Sequence, residues 1–448
     1  MKNLVYFTVI SLFVLTSCDV LDVDPMHSIP EDQAITNRND VIRAVNGCYD
    51  AFQSAGYYGR NFIAVGDLSA DPLVWSGTTA GYNQIDNNSI LADNVIVEGI
   101  WSSIYNALNR VNNVIAKVPF VEELTVDEVD EVLAEMYFLR ALCHYDLVRL
   151  FGPVPIRIEP VTADEEDLNV PRRSVEAVYE QVFSDLELAE ANLTNDIVRG
   201  KASKAAAVAL KARASLNYYY ITNLNSYLVD AVDAATSVID DFNLETEPDF
   251  ANLFNGSENS ESIFEIEFNE QDRNRMAEYF FPTALSGRHE FAPGEVFYES
   301  FEDDDVRKDI SIGIEGSDLY AKKYNDIEQG TDNVYVFRLA EMYLIRAEAN
   351  AIMEVEVDLV QSDINEIRER AGLIPETSIN FITLLSEVET QRLKEFAFEG
   401  HRWFDLVRTE RAIDVLDNVD NVNQTLFPIP LNELLTNDHE DMYQNDGY

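Results

Sequence analysis

Apolar residues recur every three or four positions along most of the chain, the spacing of one face of an α-helix. The pattern is clear from Ile100 to Ile115. Another helix should begin at the capping pair Thr125 and Glu128 and continue to about Phe151, where Gly152-Pro153 ends it. Because 46% of the 448 residues are hydrophobic, the chain has enough apolar surface to bury these faces. The sequence therefore predicts a mostly α-helical fold.

The dipeptide Arg-Ala stands in the middle of three apolar helical patterns, at Arg140, Arg213 and Arg346. A small residue at such a position lets a neighbouring helix approach closely, and stacked helix pairs form tetratricopeptide-like units. We expect Arg140 to be a buried charge satisfied by a partner rather than a ligand group. Further helices are predicted over residues 175–193, 204–220, 339–353 and 359–371, and a strand over residues 264–268.

Two long segments break the helical pattern. Residues 55–94 are rich in glycine and carry aromatic residues among asparagine, aspartate, glutamine and serine, and residues 269–330 have a similar aromatic content. Loops of this length inside a compact domain are uncommon unless they serve a function. The sequence therefore predicts two irregular binding segments on a helical support.

The charge balance restricts the partners. Lysine and arginine total 32 against 81 aspartate and glutamate residues, a formal net charge of −49. Nucleic-acid binding requires a basic stripe that neutralises phosphates, so nucleic acid is excluded as an expected partner. The same charge disfavours polyanionic ligands and peripheral binding to acidic lipid.

The N-terminus predicts a secreted, lipid-anchored protein. Lys2 precedes an apolar stretch from Leu4 to Leu15, which is too short to span a bilayer and is typical of a secretory signal. The following Thr16-Ser17-Cys18 completes a sequence that resembles a bacterial lipobox, in which Cys18 receives the lipid and becomes the first residue of the mature chain. The alternative is a plain signal peptide with an incidental cysteine. No other run approaches about 20 apolar residues.

Motifs for catalysis and metal binding are missing from the sequence. The five histidines form no metal-ligand spacing, and no nucleophile elbow, P-loop or dinucleotide fingerprint occurs. His401 is the strongest acid–base candidate, although a structural turn in which Glu399, Arg402 and Asp405 pair with one another explains it better. The acidic run 302–305 suits Ca²⁺, but a solvated charged face is the simpler interpretation. No cofactor is expected, apart from this structural Ca²⁺ as a second option.

Two cysteines remain beside Cys18. Cys48 and Cys143 each lie inside an apolar helical pattern. Nothing in their spacing requires a disulfide, so we expect two buried free thiols.

Several blocks of the sequence resemble one family over nearly the full length of the chain. The lipobox is followed by a block at residues 137–155 that ends in Phe151-Gly152-Pro153-Val154-Pro155, by a block at residues 392–408 and by Phe427-Pro428-Ile429-Pro430. Together they resemble the SusD/RagB family of outer-membrane nutrient-binding lipoproteins. Two positions depart from the pattern: Cys143-His144 replaces a small or aromatic pair, and Asp446 replaces a proline near the C-terminus.

The resemblance implies a mostly α fold of about four tetratricopeptide-like helix pairs, which support an irregular, loop-rich ligand-binding subdomain with a few short strands. It also implies a non-enzymatic protein on the cell surface that partners a SusC-like TonB-dependent transporter of the outer membrane and delivers a captured glycan for import. The expected division is a signal peptide at 1–17, a lipidated tether at 18–38, helical parts at 39–268 and 331–448, and the irregular segment at 269–330.

The ligand residues vary within the family, so they are predicted here from chemistry. Sugars bind to exposed aromatic platforms beside amides, carboxylates or arginine. Trp75 is the one tryptophan in an irregular segment, and the weak charge argument favours a neutral polymer such as a β-glucan. The alternatives are a peptide-binding member of the same family and, from another class, a glycoside hydrolase. The predicted ligand-binding residues are Trp75, Tyr82, Asn83, Asp86, Tyr279, Phe280 and Arg288.

Overall fold

The computed structural model describes residues 35–161, 168–242, 246–256 and 259–448. The predicted signal peptide, Cys18 and most of the tether lie outside these residues. The described residues form 17 α-helices and six short strands. The helices are α1 (Arg38–Phe52), α2 (Asn61–Leu68), α3 (Ala80–Asp86), α4 (Val95–Lys117), α5 (Val126–Phe151), α6 (Val175–Asn192), α7 (Lys204–Thr222), α8 (Asn225–Asp241), α9 (Met276–Phe280), α10 (Glu295–Glu299), α11 (Val306–Ser311), α12 (Leu339–Ile352), α13 (Val357–Arg370), α14 (Phe381–Glu395), α15 (Arg402–Arg408), α16 (Ala412–Val415) and α17 (Leu431–Thr436).

The long helices pack as a stack of pairs. The pairs are α1 with α4, α5 with α6, α7 with α8, and α12 with α13. Neighbouring pairs contact each other through α4 and α5, α6 and α7, and α8 and α12, so the stack is continuous. The mostly helical fold of about four stacked pairs is confirmed.

Local signals set the ends of the longest helix as expected. The Thr125 side chain accepts the backbone N–H of Glu128, and the Glu128 side chain accepts that of Thr125, which completes the capping box at the start of α5. Gly152 follows α5 with φ +71°, a conformation that favours glycine. The capping box therefore sets the start of α5, and the backbone conformation of Gly152 sets its end.

Two of the Arg-Ala positions carry the same buried ion pair. Arg140 in α5 donates to both carboxylate oxygens of Asp185 in α6, at 2.9 and 2.7 Å. Arg346 in α12 binds Asp363 in α13 at the same two distances. Each pair joins the two helices of one unit, so Arg140 is a satisfied buried charge as expected.

The third Arg-Ala position departs from this arrangement. Arg213 in α7 donates its Nε and Nη2 to Glu341 at the start of α12, at 2.7 and 2.5 Å. Glu341 belongs to the next pair of helices, so this ion pair links two units instead of closing one.

Three two-stranded antiparallel sheets complete the fold. The first pairs β1 (Leu73–Trp75) with β3 (Phe291–Pro293), and the second pairs β2 (Ser262–Ile266) with β6 (Val334–Arg338). The third is a hairpin of β4 (Ile312–Glu315) and β5 (Asp318–Ala321). The predicted strand at 264–268 therefore begins two residues earlier than expected. The β1–β3 pair joins the two segments that the sequence predicts to be irregular.

The interpretation of residues 55–94 as an irregular loop is wrong. The segment contains α2, β1 and α3, and Trp75 lies on a strand. Gly66 lies inside α2, where a Cβ atom would overlap the carbonyl oxygen of Gly400. This glycine therefore allows a helix to pack closely against a turn; it does not indicate a flexible loop.

The turn around His401 is structural, but its predicted ion pairs are wrong. Glu399, Arg402 and Asp405 do not pair with one another; each binds charged groups on other elements, except for one bond between Asp405 and its helix neighbour Arg408. This arrangement ties the C-terminal block to the connection between α2 and β1, to β6 and to α14. The partners are Lys323 and Arg338 for Glu399, Asp71 and Glu389 for Arg402, and Arg392 and Arg408 for Asp405.

Both remaining cysteines are free and fully buried, which confirms the expectation. Burial raises the pKa of the Cys48 thiol to about 12 and that of Cys143 well above its usual value. Both therefore remain protonated apolar side chains of the core.

Candidate functional site

The β1–β3 sheet places the two predicted binding segments side by side. Trp75 stands opposite Phe291 in the register. Just beyond it, the backbone N–H of Ser76 donates to the carbonyl of Glu290 at 3.1 Å, and its hydroxyl donates to the carbonyl of His289 at 2.8 Å. Residues near 75 and near 290, which are over 200 positions apart in the sequence, therefore lie side by side.

Trp75, Asn83 and Asp86 are partly accessible. Each is half-buried. The indole N–H of Trp75 is buried and has no hydrogen-bond partner among the described residues, and the side-chain amide of the half-buried Asn83 has none there either. Burial raises the pKa of Asp86, while the backbone N–H of Trp75, which donates to its carboxylate, opposes that rise. An aromatic ring, an amide and a carboxylate thus lie together within one short stretch.

Tyr82 and Phe280 cannot serve as platforms, which corrects the sequence prediction. Tyr82 is buried: its hydroxyl donates to the side-chain oxygen of Asn61 at 2.7 Å, and its ring packs edge-on against Phe291 at 4.7 Å. Phe280 is fully buried between Phe291 and Phe398. Large aromatic residues gain most by leaving water, and these two form the core beneath the surface.

Tyr279 supports the surface rather than forming it. Only 7% of the residue is exposed, so its ring offers no open face. The guanidinium groups of Arg60 and Arg288 lie 4.1 and 4.7 Å from its ring centre. Its hydroxyl also accepts a hydrogen bond from Arg288 at 3.1 Å. Tyr279 therefore fixes the position of Arg288.

Arg288 is the accessible cation of the predicted set. About half of its side chain is exposed, at 48%. The nearest carboxylates, Glu278 and Glu290, are each 3.8 Å away, which is longer than a direct hydrogen bond. The planar group thus keeps donors for a ligand oxygen.

Sequence reasoning missed Glu290, which holds the surface together. The residue is buried, and one of its carboxylate oxygens accepts the backbone N–H groups of Thr78 and Thr79 at 3.1 and 3.0 Å. A Cβ on Gly77 would overlap that carboxylate, so glycine allows the loop to close over it. One glutamate among 81 acidic residues carries no sequence signal for such a role.

The sequence prediction also omitted Tyr320 and Phe281 from the accessible aromatic residues. Both rings are half-buried and meet at 4.8 Å. His289 joins them to the residue after β1: its backbone N–H donates to the carbonyl of Phe281 at 3.0 Å, its ring nitrogen lies 3.1 Å from the carbonyl of Leu319, and its own carbonyl accepts the hydroxyl of Ser76. We define the loop surface as the accessible side chains of Trp75, Asn83, Asp86, Phe281, Arg288 and Tyr320.

His401 and Asp305, two of the candidate residues, are held in structural contacts. His401 stacks on Phe396 at 4.6 Å, and burial and nearby arginines lower its pKa well below the usual value, so it remains neutral. Asp305, from the acidic run, is buried and binds Arg307 through both oxygens at 2.9 and 2.7 Å. Across the described ranges, no group of three or more histidine, cysteine, aspartate or glutamate side chains is arranged to hold a metal ion.

Within the part of the chain that the structure describes, no helix has the length and apolar character needed to cross a bilayer.

Stacked helix pairs that carry a loop-built surface define a helical-repeat binding protein. Residues 19–216 match the family model described as starch-binding associating with outer membrane, and residues 243–448 match that of the SusD family. The chain belongs to the SusD family, as the sequence blocks predict.

Curated relatives and solved structures agree with this assignment. Two SusD-like proteins of Formosa agariphila are 29% and 26% identical to the chain; the first alignment covers 97% of both sequences and the second covers 100%. A SusD superfamily structure from Parabacteroides distasonis and the structure of a laminarin binding SusD-like protein superpose with TM-scores of 0.83 and 0.80. Each is 24% identical, and each match covers 92% of this chain and 100% of the other. These structures share the fold.

Proposed function

We propose that this protein is a lipoprotein of the outer cell surface that binds an oligosaccharide or polysaccharide and has no catalytic role. The observation that carries the proposal is the β1–β3 pairing, which brings the segment of Trp75 beside the segment that carries Arg288. Membership of the SusD family supports the same function.

The chemistry of the loop surface suits a sugar. Trp75, Phe281 and Tyr320 present apolar ring surface to the C–H faces of sugar rings. Asn83, Asp86 and Arg288 supply donors and acceptors for the hydroxyl groups around the ring. By analogy with stacking on bases, each aromatic contact would contribute about 1–3 kcal/mol.

We propose a neutral β-glucan as the ligand class. One structural neighbour is a laminarin binding SusD-like protein. The net charge of −49 repels polyanionic chains, which supports a neutral polymer over polyuronates or sulfated glycans.

We also propose that lipidated Cys18 anchors the protein in the outer membrane, beside a SusC-like TonB-dependent transporter that imports the captured glycan. The lipobox-like sequence before Cys18 supports the anchor. The family assignment supports the partnership. Co-purification of a SusC-like transporter with the affinity-tagged native protein tests it, and recovery of the protein alone would count against the complex.

The binding proposal is tested with native gels that contain laminarin, xyloglucan, xylan or alginate, followed by calorimetry with the retarding polymer. We expect laminarin to retard the protein. Trp75→Ala should abolish measurable binding while leaving the circular dichroism spectrum unchanged. Phe120→Ala is the matched control, because Phe120 is an aromatic residue that is 82% exposed and lies outside the loop surface.

Three results would contradict parts of this proposal. Unchanged affinity of the Trp75→Ala variant removes Trp75 from the site. Binding of peptides in place of every polysaccharide favours a peptide-binding protein. Release of new reducing ends from a bound polysaccharide favours a glycoside hydrolase.

A further inference from the structure

A polar cleft lies between the helical stack and the second binding segment. Its walls are the end of α1, one face of α4 and residues 271–273, and its volume is about 590 Å³. This volume is within the range of small-molecule sites, about 300–1,000 Å³. We define the polar cleft by Gln53, Ser54, Ser102, Asn106, Gln271 and Arg273.

The cleft retains polar groups that the protein does not use. The side-chain amides of Gln271 and Asn106 donate no hydrogen bond within the described residues. Gln53 uses its amide N–H on the carbonyl of Glu267, which leaves its side-chain oxygen as an acceptor. Arg273 donates its Nε and Nη1 to the backbone carbonyls of Glu270 and Glu328, and its Nη2 makes no hydrogen bond within the described part of the chain.

The charges of the cleft balance. Asp50 and Asp272 line it together with Arg110 and Arg273, and Arg110 pairs with Asp50 at 3.1 Å. Uncharged amides and hydroxyls make up much of the rest, and none of the described lining residues is aromatic. Such a lining favours a neutral, hydroxyl-rich molecule held by hydrogen bonds rather than by stacking.

The cleft adjoins the support of the loop surface. Gly59 packs against the carbonyl groups of Gln53 and Ser54 in the cleft wall, and its own carbonyl accepts the backbone N–H of Arg275 at 3.1 Å. The next residue, Arg60, lies over the ring of Tyr279, which holds Arg288. One turn, residues 53–60, thus forms a wall of the cleft and contacts the support of the loop surface.

We infer that the polar cleft is a second subsite for the same polysaccharide. A sugar chain that lies on the loop surface crosses Arg60, and its further units bind in the cleft through their hydroxyl groups. This inference rests on the proposed carbohydrate function. It predicts that the cleft contributes to the binding of long chains and not to that of short ones.

The test compares short and long chains of one polymer. The polymer is whichever of laminarin, xyloglucan, xylan and alginate retards the wild-type protein in native gels, and calorimetry then measures the affinity for the intact polymer and for its trisaccharide. Gln271→Ala and the double variant Asn106→Ala/Gln271→Ala remove cleft groups. Gln329→Ala removes an exposed amide from the same segment outside the cleft and is the matched control.

For the double variant we expect an affinity for the polymer that is about tenfold lower, with unchanged affinity for the trisaccharide. Gln271→Ala alone should show part of this loss, and Gln329→Ala none. Equal affinities of the double variant and the wild type for the polymer would overturn the subsite, as would equal losses for polymer and trisaccharide. Failure of the wild type to bind any of the four polymers is seen first, in the gels, and overturns the proposed function together with the subsite.

Discussion

The carboxylate of Asp67 accepts the backbone N–H of Gly400 at 2.8 Å in a site closed to solvent. Burial raises the pKa of Asp67 to about 7, although bonds from the backbone of Gly400 and Arg402 oppose the rise. The ordinary pKa is 3.8, so between these values the folded chain binds more protons than the unfolded chain. The resulting stabilisation is full below about pH 4 and is lost as the pH rises through about 7.

Asp67→Asn should remove this pH dependence, because an amide does not titrate in this range. Relative to the wild type, the free energy of unfolding of the variant should rise by about 4 kcal/mol between pH 4 and pH 8, at about 1.36 kcal/mol per pKa unit. Urea unfolding across this range measures the difference. Parallel stability curves for the two proteins would contradict the assignment of the titration to Asp67.

Gly66→Ala should lower the free energy of unfolding by about 1–3 kcal/mol, because the added methyl group meets the backbone of Gly400 and not a movable side chain. Gly47→Ala is the control. Gly47 also lies inside a helix, but a Cβ there meets no atom within 4 Å, so this change should be neutral or stabilise by up to about 1 kcal/mol. Thermal unfolding of both variants gives the comparison; equal melting temperatures would contradict close packing at Gly66.

Arg140→Met should cost about 3–5 kcal/mol of unfolding free energy, because it leaves the buried carboxylate of Asp185 without its cation. The double variant Arg140→Met/Asp185→Leu should recover most of this loss, since two apolar side chains replace two charges. Denaturant unfolding of the three proteins forms a partial cycle. If the double variant is as unstable as the single one, the loss of stability does not come from the unpaired carboxylate of Asp185.

Tyr279→Phe should weaken binding of the retarding polysaccharide about two- to fivefold while the fold stays intact. The change removes the hydrogen bond that positions Arg288 and keeps the ring beneath its guanidinium group. Arg288→Lys should also lose affinity, because an ammonium group lacks the planar fork of donors. If Tyr279→Phe matches the wild type while Arg288→Ala loses binding, Arg288 acts without this support.

Cys18→Ala should abolish labelling of the protein with radioactive palmitate and release it from the membrane fraction, because the residue that carries the lipid is lost. Cys48→Ala is the matched control: its thiol is fully buried, so labelling should be unchanged. Continued membrane association of the Cys18→Ala variant would indicate another anchor.

The sequence predicts most of the helical architecture, because its signals are local. Thr125, Glu128 and Gly152 set the limits of α5 through bonds and dihedral angles within a few residues. The strand that carries Trp75 has only three residues, and its partner is more than 200 positions away, so no local pattern reveals it. The sequence blocks show the family, but they do not show which side chains remain accessible.

The errors at the site have a common physical cause. Composition indicates that aromatic residues are concentrated in a segment, but it does not separate those that line a surface from those beneath it. Tyr82 and Phe280 form the core, whereas Tyr320 and Phe281 retain exposed ring surface. The distinction depends on long-range packing around Phe291, which only the folded chain defines.

The separation of β1 and β3 along the chain has a consequence for biosynthesis. During synthesis, the β1 edge at Leu73–Trp75 has no partner until Phe291–Pro293 becomes available, after nearly two thirds of the chain. Pairing then closes a loop of more than 200 residues, which is a slow step of high contact order. Until then the edge is a site for mispairing between newly made chains. Acquisition of ligand-binding competence should therefore lag behind formation of the N-terminal helices.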